Sequence, residues 1–76
     1  MPKYNYSKLR GLIKEHFGNL EDYARYIGIS STSLNERLNS RLPFKQNEMD
    51  RSIKAFKVSP KEIDTIFFTK WVRKTE

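Results

Sequence analysis

Residues 19–39 carry the pattern that most restricts the fold of this chain. Gly28 separates two apolar stripes, and a glycine can take the left-handed conformation that ends a helix. Ala24 is small enough for the two halves to approach closely, and Ser30 can cap the second half. The pattern therefore predicts a helix-turn-helix. Within each half, the apolar residues are three or four positions apart, which is the period of one face of a helix, and Ile29 fills the corner between the halves. The apolar residues of the pattern are Leu20, Tyr23, Ala24, Ile27, Ile29, Leu34 and Leu38.

Local signals of the same kind predict the other helices. The strongest is Ser59, which can cap a helix that starts at Pro60, with Glu62 completing a capping box. An extended segment is predicted before the first helix and a short extended tail over residues 68–76. We therefore expect an all-α fold, a compact five-helix bundle that contains the helix-turn-helix of residues 19–39. The predicted helices span about residues 8–17, 20–27, 31–38, 46–56 and 60–67.

Length and composition exclude several classes of protein. The 76 residues suffice for one small domain, residues 1–76. The chain has no cysteine and one histidine, so neither a disulfide framework nor a zinc cluster can form. A glycine-rich phosphate loop and a catalytic constellation are also missing. We expect no enzyme activity, metal, cofactor or small-molecule substrate. Because no apolar run approaches the roughly 18 residues that span a bilayer, and no leader is visible, we also expect no membrane association and a cytoplasmic location.

The net charge of +6 favours a polyanionic partner, but its distribution along the chain is uneven. Residues 1–18 hold four cations and one anion, which gives +3. Residues 19–42 hold three of each, which gives zero. Residues 43–76 hold eight cations and five anions, which again gives +3. The predicted helix-turn-helix is thus neutral, and the basic residues lie around it.

A helix-turn-helix binds DNA by placing its second helix in the major groove. Asn35 can bind adenine through two hydrogen bonds, and Glu36 can accept one from cytosine N4. Serine, threonine and asparagine are mediocre helix formers, so a plain solvent-exposed face explains them less well than base contacts do. The predicted base-reading residues are Ser31, Thr32, Asn35 and Glu36. The predicted phosphate-binding residues are Asn19, Ser33, Arg37, Asn39, Arg41 and Lys45.

Two aromatic residues of the predicted tail, Phe68 and Trp71, are candidate dimer contacts. Trp71 could equally cover the core. In a dimer, two recognition helices about 34 Å apart would match a pseudo-palindromic operator. The expected partners are therefore double-stranded operator DNA and a second copy of the chain.

The spacing of Ala24, Gly28, Ile29, Ser30, Leu34 and Leu38 resembles the helix-turn-helix of phage Cro and repressor proteins. The segment 34–39 (LNERLN) is closer to the Cro version, and residues 6–76 are similar to small Cro-like proteins of phages and prophages of Gram-positive bacteria. The resemblance implies a five-helix fold of the lambda-repressor-like DNA-binding type. It also implies a transcriptional repressor that binds operator DNA as a dimer in the bacterial host cell and controls the lysis–lysogeny choice. By the same resemblance, the four predicted base-reading residues fall on the family's base-reading positions.

A second function remains open from the sequence. Leu20 stands where the family often has a glutamine that braces a phosphate contact, and the helix-turn-helix is neutral rather than basic. Both features fit an antirepressor-type protein-interaction module that binds a cognate phage repressor.

Overall fold

Short polar signals determine where the helices start and stop. In the computed structural model, which describes residues 4–69, the side chains of Asn19 and Ser30 each accept a hydrogen bond from the N–H three residues later (2.8 and 3.1 Å). These bonds satisfy amides that a helix start leaves without partners. Gly28, between the two helices, has a φ of 84° and adopts the left-handed conformation. The helices are α1 (Ser7–Phe17), α2 (Leu20–Ile27), α3 (Ser31–Leu38), α4 (Gln46–Phe56) and α5 (Ile63–Phe67).

The predicted all-α, five-helix architecture is confirmed for the described residues. One predicted element differs in detail, because a 3-10 turn (Pro60–Glu62) precedes α5. The Glu62 N–H bonds to the carbonyl of Ser59, three residues back (2.8 Å), which is the hydrogen bond of a 3-10 turn. The carboxylate of Glu62 does not close a capping box on Ser59; it binds Nζ of Lys8 at 3.2 Å.

The core places α2 at the centre and α3 at the edge. α2 packs against α1, α3 and α4, whereas α3 packs mainly against α2. The Tyr23 ring of α2 stacks on Phe56 of α4, and its hydroxyl shares a buried hydrogen bond with Ser52 (2.6 Å). Burial raises the pKa of the Tyr23 phenol well above its ordinary value, because the phenolate would lose its hydration and would lie near the Glu48 carboxylate. α2 is therefore firmly held, and α3 depends on α2 and on a few side-chain contacts.

Both ends of the described chain meet near the end of α3. The Tyr4 N–H donates to Oγ of Ser40 (3.1 Å), and the Asn5 N–H donates to the carbonyl of Thr69 (2.6 Å). The ring of Phe68 lies edge-on to that of Tyr4, with 5.6 Å between centroids. Residues 70–76 of the predicted tail, which include Trp71, lie outside residues 4–69. Within that range, no helix combines the length and the apolar character needed to cross a membrane.

Candidate functional site

The four predicted base-reading residues lie together on the outward side of α3. Leu34 and Leu38 turn inward, and most of the polar residues of the helix lie on the opposite side. Ser31, Thr32 and Asn35 are exposed, and Glu36 is partly exposed. Asn39, which follows the helix, is also exposed. The structure thus brings the predicted set onto one polar surface, which we call the α3 face: Ser31, Thr32, Asn35, Glu36 and Asn39.

Arg37 is not part of this face, which corrects its assignment as a phosphate-binding residue. Its side chain is only 7% exposed and pairs with Glu48 of α4. Nε and Nη2 donate to the two carboxylate oxygens at 2.9 and 3.0 Å, and Nη1 donates to the carbonyl of Ser33 at 3.2 Å. Because the side chain is buried and three of its five N–H groups are already bonded, it is poorly placed to bind a phosphate outside the protein. Arg37 therefore anchors α3 to α4.

Glu48 also explains a residue that the sequence left without a structural role. Lys45 precedes α4, and its side chain makes no capping hydrogen bond. Instead, Oε1 of Glu48 accepts from the Lys45 N–H at 3.0 Å, which is the returning half of a capping box. A glutamate three residues into the helix was the signal in the sequence for this role. Lys45 itself stays exposed.

The C-terminal end of the α3 face carries an exposed ion pair and an exposed apolar side chain. Nη1 of Arg41 lies 3.4 Å from Oε2 of Glu36, and the two side chains are 70% and 36% exposed. The N–H groups of Arg41 and Leu42 both donate to the carbonyl of Glu36, which fixes the loop against the last turn of α3. Leu42 is 43% exposed there. This leucine is a surface feature that the sequence interpretation missed.

Two of the other predicted phosphate-binding residues already have hydrogen-bond partners within the protein. Asn19 uses its side-chain oxygen to cap α2, and its Nδ2 lies 3.3 Å from the Asp22 carboxylate. Ser33 is half-buried, and its N–H is bonded to Ser30. Asp22 also lies 3.8 Å from Arg25. The start of α2, where helix amides attract an anion, therefore already has its own carboxylate.

Once Arg37 is neutralised by Glu48, residues 19–42 present a slightly acidic surface. The charges that remain exposed or partly exposed are two cations, Arg25 and Arg41, against three anions, which gives −1. The anions are Glu21, Asp22 and Glu36. A further cation, Arg51, comes from α4. A Cβ atom built on Gly28 would lie 3.3 Å from its Nη1. Arg51 therefore lies against the turn between α2 and α3, and it too was missed by sequence reasoning.

No acidic or histidine cluster of residues 4–69 could hold a metal ion. Tyr6, buried under the N-terminal segment, has its pKa raised by burial and by the neighbouring Tyr4. Both this tyrosine and Tyr23 lie in the core rather than on the α3 face. The α3 face consists of hydroxyl, amide and carboxylate groups, with Arg41 and Leu42 at one end. It can form hydrogen bonds and one apolar contact.

The fold of this chain is similar to that of a solved phage protein. The chain aligns with the modulator of repression (MOR) of the temperate bacteriophage TP901-1 from Lactococcus lactis, and the alignment covers 93% of this chain and 96% of that one. The two are 28% identical, and the superposition has a TM-score of 0.74. No curated protein has a significantly similar sequence. Residues 2–70 match the sequence profile described as "Protein of unknown function (DUF739)", and the chain belongs to this family.

Proposed function

We propose that this protein is a phage regulator that modulates repression by binding a phage repressor protein. The similarity to the TP901-1 modulator of repression, over nearly the full length of both chains, is the observation that carries the proposal. The binding surface is the α3 face together with Leu42. The protein acts as a binding module rather than an enzyme, in the cytoplasm of the bacterial host cell.

The chemistry of the α3 face supports a protein partner over DNA. Operator binding draws much of its affinity from cations placed on phosphates, and protein–DNA interfaces are strongly basic. Here Arg37 is buried in an ion pair, and Arg41 is paired with Glu36. Residues 19–42 carry a surface charge of −1, which Arg51 beside the turn raises only to zero. Protein–protein interfaces, in contrast, combine an apolar centre with a polar rim. The exposed Leu42 and the uncharged polar residues of the α3 face are groups that such interfaces use.

Calorimetric titration of this protein into the purified repressor of the same phage or prophage tests the proposal. We expect Leu42→Ala to weaken binding by about tenfold or more, the size typical of an interface anchor. Glu36→Lys should weaken it as well. Tyr26→Ala is the matched control, since Tyr26 is 45% exposed against 43% for Leu42 but lies on α2, beside Phe17. Absence of binding to the repressor, or equal losses in the two alanine variants, would contradict the proposal.

The alternative is a Cro-like repressor that reads operator DNA directly. It is favoured by the grouping of four possible base-reading side chains on α3 and by the overall charge of +6. A homodimer would then hold two α3 helices about 34 Å apart, with Phe68, which is 42% exposed, as a dimer contact. Mobility-shift experiments with the phage promoter region at about 150 mM salt discriminate the two functions, because non-specific binding is weak there. Specific binding that is lost in Thr32→Ala and Asn35→Ala would support this alternative.

A further inference from the structure

Two surface cavities border on the side chain of Arg10, away from the centre of the α3 face. One, of about 330 Å³, lies between the N-terminal segment, the first turn of α1 and the end of α3 at Asn39 and Ser40. The other, of about 220 Å³, lies between α1 and the start of α2 at Asn19 and Leu20. Lys14 lines the second cavity, one helical turn after Arg10. We call the two cavities with these two cations the Arg10 cleft.

The Arg10 cleft is cationic, and its cations are not used inside the described part of the chain. Arg10 and Lys14 are exposed, and neither forms an ion pair with a carboxylate of residues 4–69. Lys8, on the same helix, differs because it pairs with Glu62 at 3.2 Å. None of the described residues that line the two cavities is acidic. The cleft therefore offers two free positive charges to a ligand from outside.

The floor of the cleft is apolar, which restricts what that ligand can be. Ile13, which is fully buried, and Leu20, which is half-buried, line the second cavity between the cations and the start of α2. Asn5 and Asn39 line the first cavity and can donate and accept hydrogen bonds. A volume of about 220 Å³ accommodates one side chain, not a continuous phosphate backbone. A ligand that fits both features has carboxylates for the cations and an apolar side chain for the floor.

From this arrangement we infer that the Arg10 cleft binds an acidic, partly apolar peptide segment of a protein partner. A carboxylate lies between Arg10 and Lys14, and a neighbouring apolar side chain covers Leu20, which is half-buried. Charge complementarity selects the segment. Duplex DNA is the weaker fit, because its backbone offers phosphates to the cations but no apolar side chain to Leu20. The inference does not rest on the α3 face, with which the lining of the cleft shares Asn39.

Isotope-labelled full-length protein titrated with synthetic peptides and followed by NMR tests the inference. The probe is a short peptide of glutamate and leucine residues, and its control has glutamine in place of every glutamate. We expect the acidic peptide to shift the amide signals of residues 10–20 and 38–40 in a saturable manner. The glutamine peptide should leave them unchanged at the same concentrations. Saturable shifts confined to other residues, or equal shifts with both peptides, would overturn the inference.

Charge-reversal variants provide the second measurement. Arg10→Glu combined with Lys14→Glu should weaken peptide binding by about tenfold or more, since two exposed attractive pairs become repulsive. Lys54→Glu combined with Lys61→Glu is the matched control, because it changes the net charge equally at exposed positions outside the cleft. Circular dichroism checks that both variants fold. Equal losses of affinity in the two variants would mean that only the overall charge matters, which would overturn the inference. The inference would also be overturned if duplex DNA bound at the cleft alone and the peptide did not bind there.

Discussion

The buried ion pair between Arg37 and Glu48 leads to the sharpest prediction for stability. The two side chains are 7% and 4% exposed, and two hydrogen bonds of 2.9 and 3.0 Å join them. Replacing Arg37 by methionine removes the cation and leaves a buried carboxylate whose remaining described partner is the Lys45 N–H. Removing one member of such a pair typically costs about 3–5 kcal/mol, because the other charge stays buried and uncompensated. We expect Arg37→Met to fall at the lower end of that range, since the Lys45 N–H remains.

This loss is large for so small a domain. At roughly 0.05–0.15 kcal/mol per residue, a chain of this length has a free energy of unfolding of about 4–11 kcal/mol. A loss of about 3 kcal/mol lowers the melting temperature by at least about 12 °C at this size. The double variant Arg37→Met with Glu48→Leu should recover most of the loss, because apolar residues often replace a buried ion pair at little cost. The Lys45 N–H then loses its acceptor, which keeps the double variant slightly less stable than the natural protein.

Urea denaturation followed by circular dichroism measures these free energies, and the four proteins of a double-mutant cycle give the coupling between the two side chains. Arg41→Met is the matched control. Its pair with Glu36 has the same chemistry but is largely exposed, and such pairs contribute only about 0–1 kcal/mol. If Arg37→Met costs no more than Arg41→Met, or if the double variant loses the sum of the two single losses, the reasoning from burial is refuted.

Two further predictions concern positions away from the α3 face. Lys57 ends α4 with a φ of 57°, so Lys57→Gly should raise the free energy of unfolding by about 0.5–1 kcal/mol in urea denaturation, whereas Lys54→Gly within the helix should lower it. Tyr23→Phe should lower it by about 0.5–1.5 kcal/mol near neutral pH, because the hydrogen bond with Ser52 is lost. Burial raises the pKa of Tyr23 in the folded protein, so above about pH 10 the unfolded chain loses this proton first and stability falls as pH rises. Tyr23→Phe should make that alkaline loss smaller; an unchanged slope would contradict the assignment.

The α2 and α4 bounds predicted from sequence, residues 20–27 and 46–56, agree with the structure to the residue. At α2, Asn19 and Gly28 act through contacts within a few residues, which a local pattern records fully. The last helix was less predictable. A 3-10 turn precedes α5, and Glu62 of that turn binds Lys8, which lies 54 residues earlier, so no local pattern records this contact.

The positions of the polar residues on α3 could be predicted from the sequence, but which charged side chains reach solvent could not. Helical period alone placed Thr32, Asn35 and Glu36 on one side of α3, and the structure has them there. The same period could not tell that Arg37, beside them, is buried. A charged side chain enters a core only where a partner compensates it, and that partner, Glu48, lies on another helix.

The amino-acid sequence by itself determined the helices and the polar composition of the α3 face, because caps, glycines and apolar spacing act within a few residues. Only the tertiary structure decided which charges reach solvent. It buried Arg37 against Glu48, paired Arg41 with Glu36, and placed Arg10 with Lys14 beside two open cavities. The physical reason is that the effect of a charge depends on burial and on partners distant in sequence.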